Sequence, residues 1–248
     1  MFRLEQSAVT HAGAVREVNE DNILAKDPCF VVADGIGGAT AGAMASSLVV
    51  EEFALLALQR TITPRDVAAT LDAAHERVRR LQALNGGRQS GSTVCGAVAI
   101  DAPGGPQWAL FNIGDTRIYR VEPDGGELQQ VTVDHSRVQE LIDAGVITPA
   151  EAESHPERHV VTRAVGAAES YRPDHWTVPM VAGERLLLCS DGLLTSASFA
   201  QLQEVATRRV SPRQVVDELL RLALAAKAQD NVSIMVVDVD ANKKRVDA

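Results

Sequence analysis

Five aspartates stand where apolar runs of the chain begin or end. Asp34 closes FVVAD, and Asp115 lies in NIGDTR between two strand-like runs. Asp191 closes LLLCSD and Asp230 opens DNVSIMVV. Asp21, preceded by Glu20, comes just before the strand-like ILA. Taken singly, each is explained by a turn, because Asp bonds its own backbone and Gly takes positive φ. As a set they ask for more, since acids that abut long apolar runs converge where strand ends meet. Two bare carboxylates about 4 Å apart repel by roughly 4 kcal/mol at an effective dielectric near 20. A cluster of them therefore calls for cations. Oxygen ligands alone suit hard ions, Mg2+ or Mn2+, which keep several of their waters. Neither HExxH nor CxxC occurs, so the histidines and cysteines form no zinc pattern.

The glycines after Asp34, in DGIGGATAGAMAS, fit a nucleotide cradle, a metal site or a tight turn. A dinucleotide fingerprint would need glycines at 35, 37 and 40, but position 40 is Thr40, and no Gly-Lys-Ser/Thr follows. Beside a metal, bare glycines let backbone carbonyls and waters reach the ion. Arg16 lies five residues before Asp21. Such an arginine makes a plain salt bridge on a solvated face, or its planar fork holds a pair of phosphate oxygens beside bound cations. Metals plus one arginine describe a site of phosphoryl transfer or phosphate hydrolysis.

These residues need a scaffold. Runs rich in valine, isoleucine and aromatics, bounded by Gly or Asp, predict strands at CFVVAD, GSTVCGAVAI, QWALFNIGD, TRIYRVE, ERLLLCSDG and NVSIMVVDV. Helices are expected over about Ala39 to Gln59, from Pro64 over PRDVAATLDAAHERVRRLQAL, and late in the chain over Phe199 to Arg208 and Pro212 to Lys227. Strict βαβα alternation is absent, which favours antiparallel sheets with segregated helices. Asp134 to Arg163 reads as an irregular excursion holding three of the six histidines and a short helix, SRVQELIDAG.

The bulk numbers read as an ordinary soluble globular protein. The 248 residues are 46% hydrophobic and 23% charged, and the formal net charge of -9 lacks the basic footprint of a nucleic-acid binder. Cys29, Cys95 and Cys189 each sit in an apolar run, as buried thiols of a reducing compartment do. The N-terminus has no signal-peptide core, and Glu51 and Glu52 interrupt the most apolar helix, so a cytoplasmic protein without a membrane span is expected.

Seven motifs in order resemble the metal-dependent serine/threonine protein phosphatases, the protein phosphatase 2C family, in its bacterial form. They are THAGAVREVNEDN, VVADGIGGATAGAMAS, GSTV, NIGDTRIYR, LIDAGVITPAEAESHPERHVVTRAVG, LLLCSDGL and AQDNVSIMVV. The resemblance covers nearly the whole chain. It implies an α+β fold, a four-layer α-β-β-α sandwich of two antiparallel sheets flanked by helix pairs. It also implies one catalytic domain over 1–241, with a mobile flap at about 135–160 and a short charged tail at 242–248. By resemblance Asp34 bridges two metals, the Gly35 carbonyl binds the second, and Asp191 and Asp230 bind the first. Asp21 holds a metal-bound water with Glu20 in support, Arg16 binds phosphate, and Asp115 shares a third, weaker ion with Asp191. Two tight Mn2+ or Mg2+ ions then activate a bridging hydroxide against phosphoserine or phosphothreonine of proteins, with no covalent phosphoenzyme. A cysteine phosphatase would need C-x5-R, but Gly35, Asp101 and Thr195 stand six residues after the three cysteines. The family implies a monomer acting against a serine/threonine kinase and its targets. A pseudophosphatase that only binds, and a phosphatase of small phosphorylated molecules, remain as alternatives. The chain departs from the usual bacterial turn in having Ile36 in place of methionine, and has GDTR for the more frequent GDSR.

Overall fold

Valine, isoleucine and aromatic runs fit the pleated surface of a sheet, and here they pair into two five-stranded antiparallel sheets. The computed structural model describes residues 2–38, 40–86, 89–123, 125–168 and 171–243. The first sheet has the order β1-β10-β9-β6-β7, with β1 Phe2–His11, β10 Val232–Lys243, β9 Arg185–Cys189, β6 Arg117–Val121 and β7 Leu128–Gln130. The second has the order β2-β3-β4-β5-β8, with β2 Asn22–Lys26, β3 Cys29–Ile36, β4 Gly91–Ala102, β5 Gly105–Ile113 and β8 Asp174–Pro179.

Helices cover both outer faces. α1 (Thr40–Leu56) and α2 (Pro64–Leu84) pack on the second sheet, burying Val49, Phe53 and Leu71 against Val31, Val94 and Phe111. α5 (Asp191–Ser196), α6 (Phe199–Ala206) and α7 (Pro212–Ala225) cover the first, with Leu193, Leu202 and Leu219 against Leu187, Ile234 and Val236. The starts are written in the sequence. Thr63 caps α2 in a reciprocal box with Asp66, Pro64 follows, and Ser211, Pro212 and Gln214 repeat the device on α7. Two short helices, α3 (Arg137–Asp143) and α4 (Pro149–Ala152), lie in the excursion after β7. That excursion is tied at its root. The Arg137 amide donates to the Val160 carbonyl (2.8 Å) and the Thr162 amide to the His135 carbonyl (2.8 Å), beside an antiparallel bridge between Ser136 and Val161.

Side-chain alternation then builds the third apolar layer. On β3, Cys29, Val31 and Ala33 face the helices, while Phe30 and Val32 face the other sheet. On β4, Cys95, Ala97 and Ala99 join them, opposed by Leu186, Leu188, Met235 and Val237 of the first sheet. At one end of the sandwich the same alternation continues into polar residues. Asp34 follows Phe30 and Val32, Thr93 precedes Cys95, Ser190 follows Leu188, and Ser233 precedes Met235. The inter-sheet core thus ends in a polar floor.

The architecture is the α-β-β-α sandwich expected, with corrections of detail. β1, β7 and β8 are strands that residue composition did not reveal, and α4 and α5 are extra helices. Asp191 opens α5 rather than ending the preceding strand. β10 continues to Lys243, so residues 242 and 243 are strand and not tail. Residues 244–248 and the expected helix start at Ala39 lie outside the described residues.

Candidate metal centre

Asp21 is the most enclosed of the five aspartates, with 3 % of its surface exposed. Its Oδ2 accepts from the hydroxyls of Ser190 and Ser233, each at 2.7 Å, so the polar floor grips one carboxylate oxygen. Its Oδ1 is buried without a partner. Burial raises the Asp21 carboxyl to about 6, against the pull of the two serines and with help from Asp191 and Asp230 nearby.

Asp34 stands two residues from the end of β3. Burial, then the charges of Asp21, Asp191, Asp115 and Asp230, hold its carboxyl well above the usual range. Asp191, at the first turn of α5, is raised by burial and then by Asp230, while His159 of the excursion, a side-chain hydrogen bond with Asp34, and the charge of Arg16 act the other way. Asp115 is pushed up to about 7 by burial, then by Asp191 and Asp134. Asp134 itself is held in a fork by Arg117, whose Nε and Nη2 donate at 2.8 and 2.7 Å.

Backbone geometry fixes these acids. Gly114 takes φ +104° in the turn that presents Asp115, a conformation that a side chain resists. The Gly114 amide donates to His135 Nδ1 (3.1 Å) and the His135 amide to the Gly114 carbonyl (2.9 Å), so this turn is stitched to the root of the excursion. His135 Nε2 in turn lies 3.0 Å from Asp174 Oδ2. Asn231 binds the other approach. It accepts from the Glu20 amide (2.9 Å) and donates to the carbonyls of Ala12 (3.1 Å) and Val18 (3.0 Å). At Gly35 an added Cβ would lie 2.7 Å from the Glu20 carbonyl oxygen and closer still to that of Gly42, so only glycine fits. Arg16, half exposed, donates from Nη2 to Asp230 Oδ2 at 2.8 Å.

The structure therefore brings Asp21, Asp34, Asp115, Asp191 and Asp230 into one electrostatic cluster, with Arg16 at its edge and Glu20 acting on that arginine. Among the described residues no three Asp, Glu, His or Cys side chains stand grouped closely enough to hold a metal ion by themselves. An open array of oxygens suits an ion that keeps several waters. Raised carboxyls, an all-oxygen donor set and the orphaned Asp21 Oδ1 all fit divalent cations at this position. Ser190, Ser233, Asn231 and His135 were not singled out in the sequence. Ser190 next to Asp191 and Asn231 next to Asp230 carried the only available signal.

An α-β-β-α sandwich with carboxylates gathered at one end of its inter-sheet core defines the class, a protein phosphatase that works with metal ions. The profile of that family, protein phosphatase 2C, matches residues 12–231, and the chain belongs to it. Over 247 residues the chain is 31% identical to the protein phosphatase PhpP of Streptococcus pneumoniae, covering 96% of this chain and 98% of that one. The solved Mycobacterium tuberculosis serine/threonine phosphatase PstP/Ppp is 32% identical and superposes with a TM-score of 0.88 over 96% of this chain and 99% of its own. The catalytic domain of PstP in complex with 2 manganese ions is 31% identical, with a TM-score of 0.87 over 97% of this chain and all of its own.

Proposed function

We propose that phosphate esters are hydrolysed at the carboxylate cluster that ends the inter-sheet core. The chain is a metal-dependent protein-serine/threonine phosphatase. The observation that carries the site is the convergence of Asp21, Asp34, Asp115 and Asp191, whose carboxyls are all raised by burial and then by neighbouring acids, with Asp230 beside them and Asp21 Oδ1 buried without a partner. In our reading Asp34 would hold two Mn2+ or Mg2+ ions, with the Gly35 carbonyl as a further ligand of the second and Asp191 and Asp230 of the first. Asp21 acts through a water, with Glu20 in support, and Asp115 shares a third, weaker ion with Asp191. Bound divalent ions supply a nucleophile by lowering the pKa of water towards 7.

The chain's own residues do the rest. The carboxylates give up protons that burial had favoured, so that ion binding and proton release are linked. Arg16 pairs with Asp230 at 2.8 Å. With Asp230 as a ligand to an ion, the Arg16 guanidinium would be free to bind two oxygens of the phosphate. Its position at the edge of the cluster, half exposed, suits a group that meets an incoming phosphoprotein. The substrates are phosphoserine and phosphothreonine proteins, and the enzyme opposes a serine/threonine kinase. It works as a cytoplasmic monomer. Three free, buried thiols are in keeping with a reducing compartment, and no helix among the described residues is long and apolar enough to cross a membrane.

The test is phosphate release from a phosphothreonine peptide and from small phosphorylated metabolites. Chelator-treated protein should release none, and added Mn2+ should restore turnover of the peptide. Full activity in the metal-stripped protein refutes the mechanism. Peptide binding without turnover would mark a pseudophosphatase, and turnover of metabolites alone would move the substrate class.

A further inference from the structure

One buried polar group beside the cluster has no task in the site as described so far. Thr93 lies on β4 directly opposite Asp34 in the β3–β4 register. It is completely buried (0 % exposed), and its hydroxyl oxygen has no hydrogen-bond partner. Alternation along β4 sends its side chain to the inter-sheet face, the face that Asp34 shares. Its other side touches the neighbouring turn. A Cβ added to Gly114 would lie 2.5 Å from both the Cβ and the Cγ2 of Thr93, so the loop that presents Asp115 is seated on this side chain.

Leaving a buried hydroxyl unpaired costs its full desolvation, whereas valine has the same shape and no such cost. A β-branched residue between Cys95 and the strand end needs no oxygen for packing. Asp21 Oδ1 is orphaned in the same way, and it too is a neighbour of Asp34. Two unpartnered polar atoms thus flank one carboxylate of an open, water-demanding ion site.

We infer that Thr93 is a positioning residue of the metal centre. Its hydroxyl hydrogen-bonds the water shell of the ions that Asp34 and Asp115 hold, while its methyl group seats the Gly114–Asp115 turn. The inference rests on the metal reading above and adds a residue outside the carboxylate set. The two halves of the side chain have separable roles. Thr93→Val keeps the shape and removes the hydroxyl; Thr93→Ser keeps the hydroxyl and removes the methyl.

The experiment uses the full chain, stripped with chelator, and reads two quantities that do not depend on turnover. One is the melting temperature without metal. The other is Mn2+ affinity by titration calorimetry. Thr93→Val should melt at or above the wild-type temperature without metal, and should bind Mn2+ about 10-fold more weakly, the lower end of what outer partners of a metal site contribute. Thr93→Ser should melt lower without metal, having lost packing, and keep Mn2+ affinity within about 3-fold of wild type. A merely structural threonine predicts the opposite pattern. Thr93→Val with unchanged Mn2+ affinity, or a Thr93→Val protein that melts lower or fails to fold, overturns the inference. If the wild-type chain itself binds no Mn2+, the metal reading fails instead, and the two failures are distinguished by that control.

Discussion

Asp115→Asn removes one charge from the cluster and keeps a side chain that can still bond its own turn. Burial and the neighbours Asp191 and Asp134 push the Asp115 carboxyl up to about 7, from an ordinary value of 3.8. A folded-state pKa above the unfolded one means that the folded chain binds the proton more tightly. Stability from this group is therefore full below about 4 and is lost as the pH rises through about 7. The difference corresponds to an upper limit of about 4 kcal/mol. Water reaching the rim of an open site reduces it, and about 2 kcal/mol is a fair working value. For a chain of this size each kcal/mol moves the melting temperature by about 2–4 °C. Without metal, Asp115→Asn should therefore melt about 4–8 °C above wild type at pH 8 and within about 2 °C of it at pH 4, where the carboxyl is largely neutral in the folded and unfolded chain alike. Phosphopeptide turnover in Mn2+ should fall in the same variant. Differential scanning fluorimetry in chelator at both pH values, with one turnover assay, is sufficient. Gly114, with its positive φ, carries the turn, and asparagine bonds a turn as aspartate does, so an Asp115 that served only the turn would give an unchanged melting point at both pH values and wild-type kcat/KM. That result would refute the electrostatic argument.

Asp34→Asn should abolish kcat and Mn2+ binding, whereas Arg16→Ala should chiefly raise KM and leave Mn2+ affinity in place; equal metal loss in both, seen by calorimetry, would make Arg16 structural. The exposed Arg16–Asp230 pair contributes at most about 1 kcal/mol, so Arg16→Ala should barely move the denaturation midpoint. Arg185→Met should lower stability by about 3–5 kcal/mol in urea melts while kcat per folded molecule is kept. Arg185 is buried, forks onto Asp238 at 2.6 and 2.8 Å, and donates to the carbonyls of Ala206, Arg208 and Val210, at the end of β9 away from Asp191. Mn2+ affinity should climb between pH 6 and 8, because Asp21 (about 6) and Asp115 (about 7) must lose protons to bind it. Over the approach to pH 7 the metal-free protein should lose stability, and flat calorimetric affinity across that range would exclude these two carboxyls.

The acids of the centre were legible because their neighbours in sequence are apolar runs with Gly or Asp at the edge. The helix starts at Thr63 and Ser211 were legible because capping chemistry is local. β8 was not, because Asp174–Pro179 alternates half-buried and exposed residues and shows no apolar run. β1 hid for a related reason: FRLEQSAVTH is half polar and becomes a strand by pairing along its length with β10, more than 200 residues away. The partners of the site were equally silent. Ser190, Ser233 and Thr93 are ordinary residues whose importance comes from the face they turn to, and that face is decided by register. Arg16 could be placed near the cluster from its spacing, but its pairing with Asp230 joins residues 214 apart.

The closed root of the excursion between β7 and β8 has an evolutionary reading. Its two stems meet at Ser136 and Val161, and bridged residues of antiparallel chain stand only about 5 Å apart. Whatever lies between them leaves and re-enters the sandwich at almost one point. Such a segment behaves as a cassette. Its length and surface can be rewritten, or exchanged with that of a relative, while the stems keep the sheets in register. Recognition of different phosphoproteins can then diversify quickly on top of a chemical floor that is held still by serines, glycines and one asparagine.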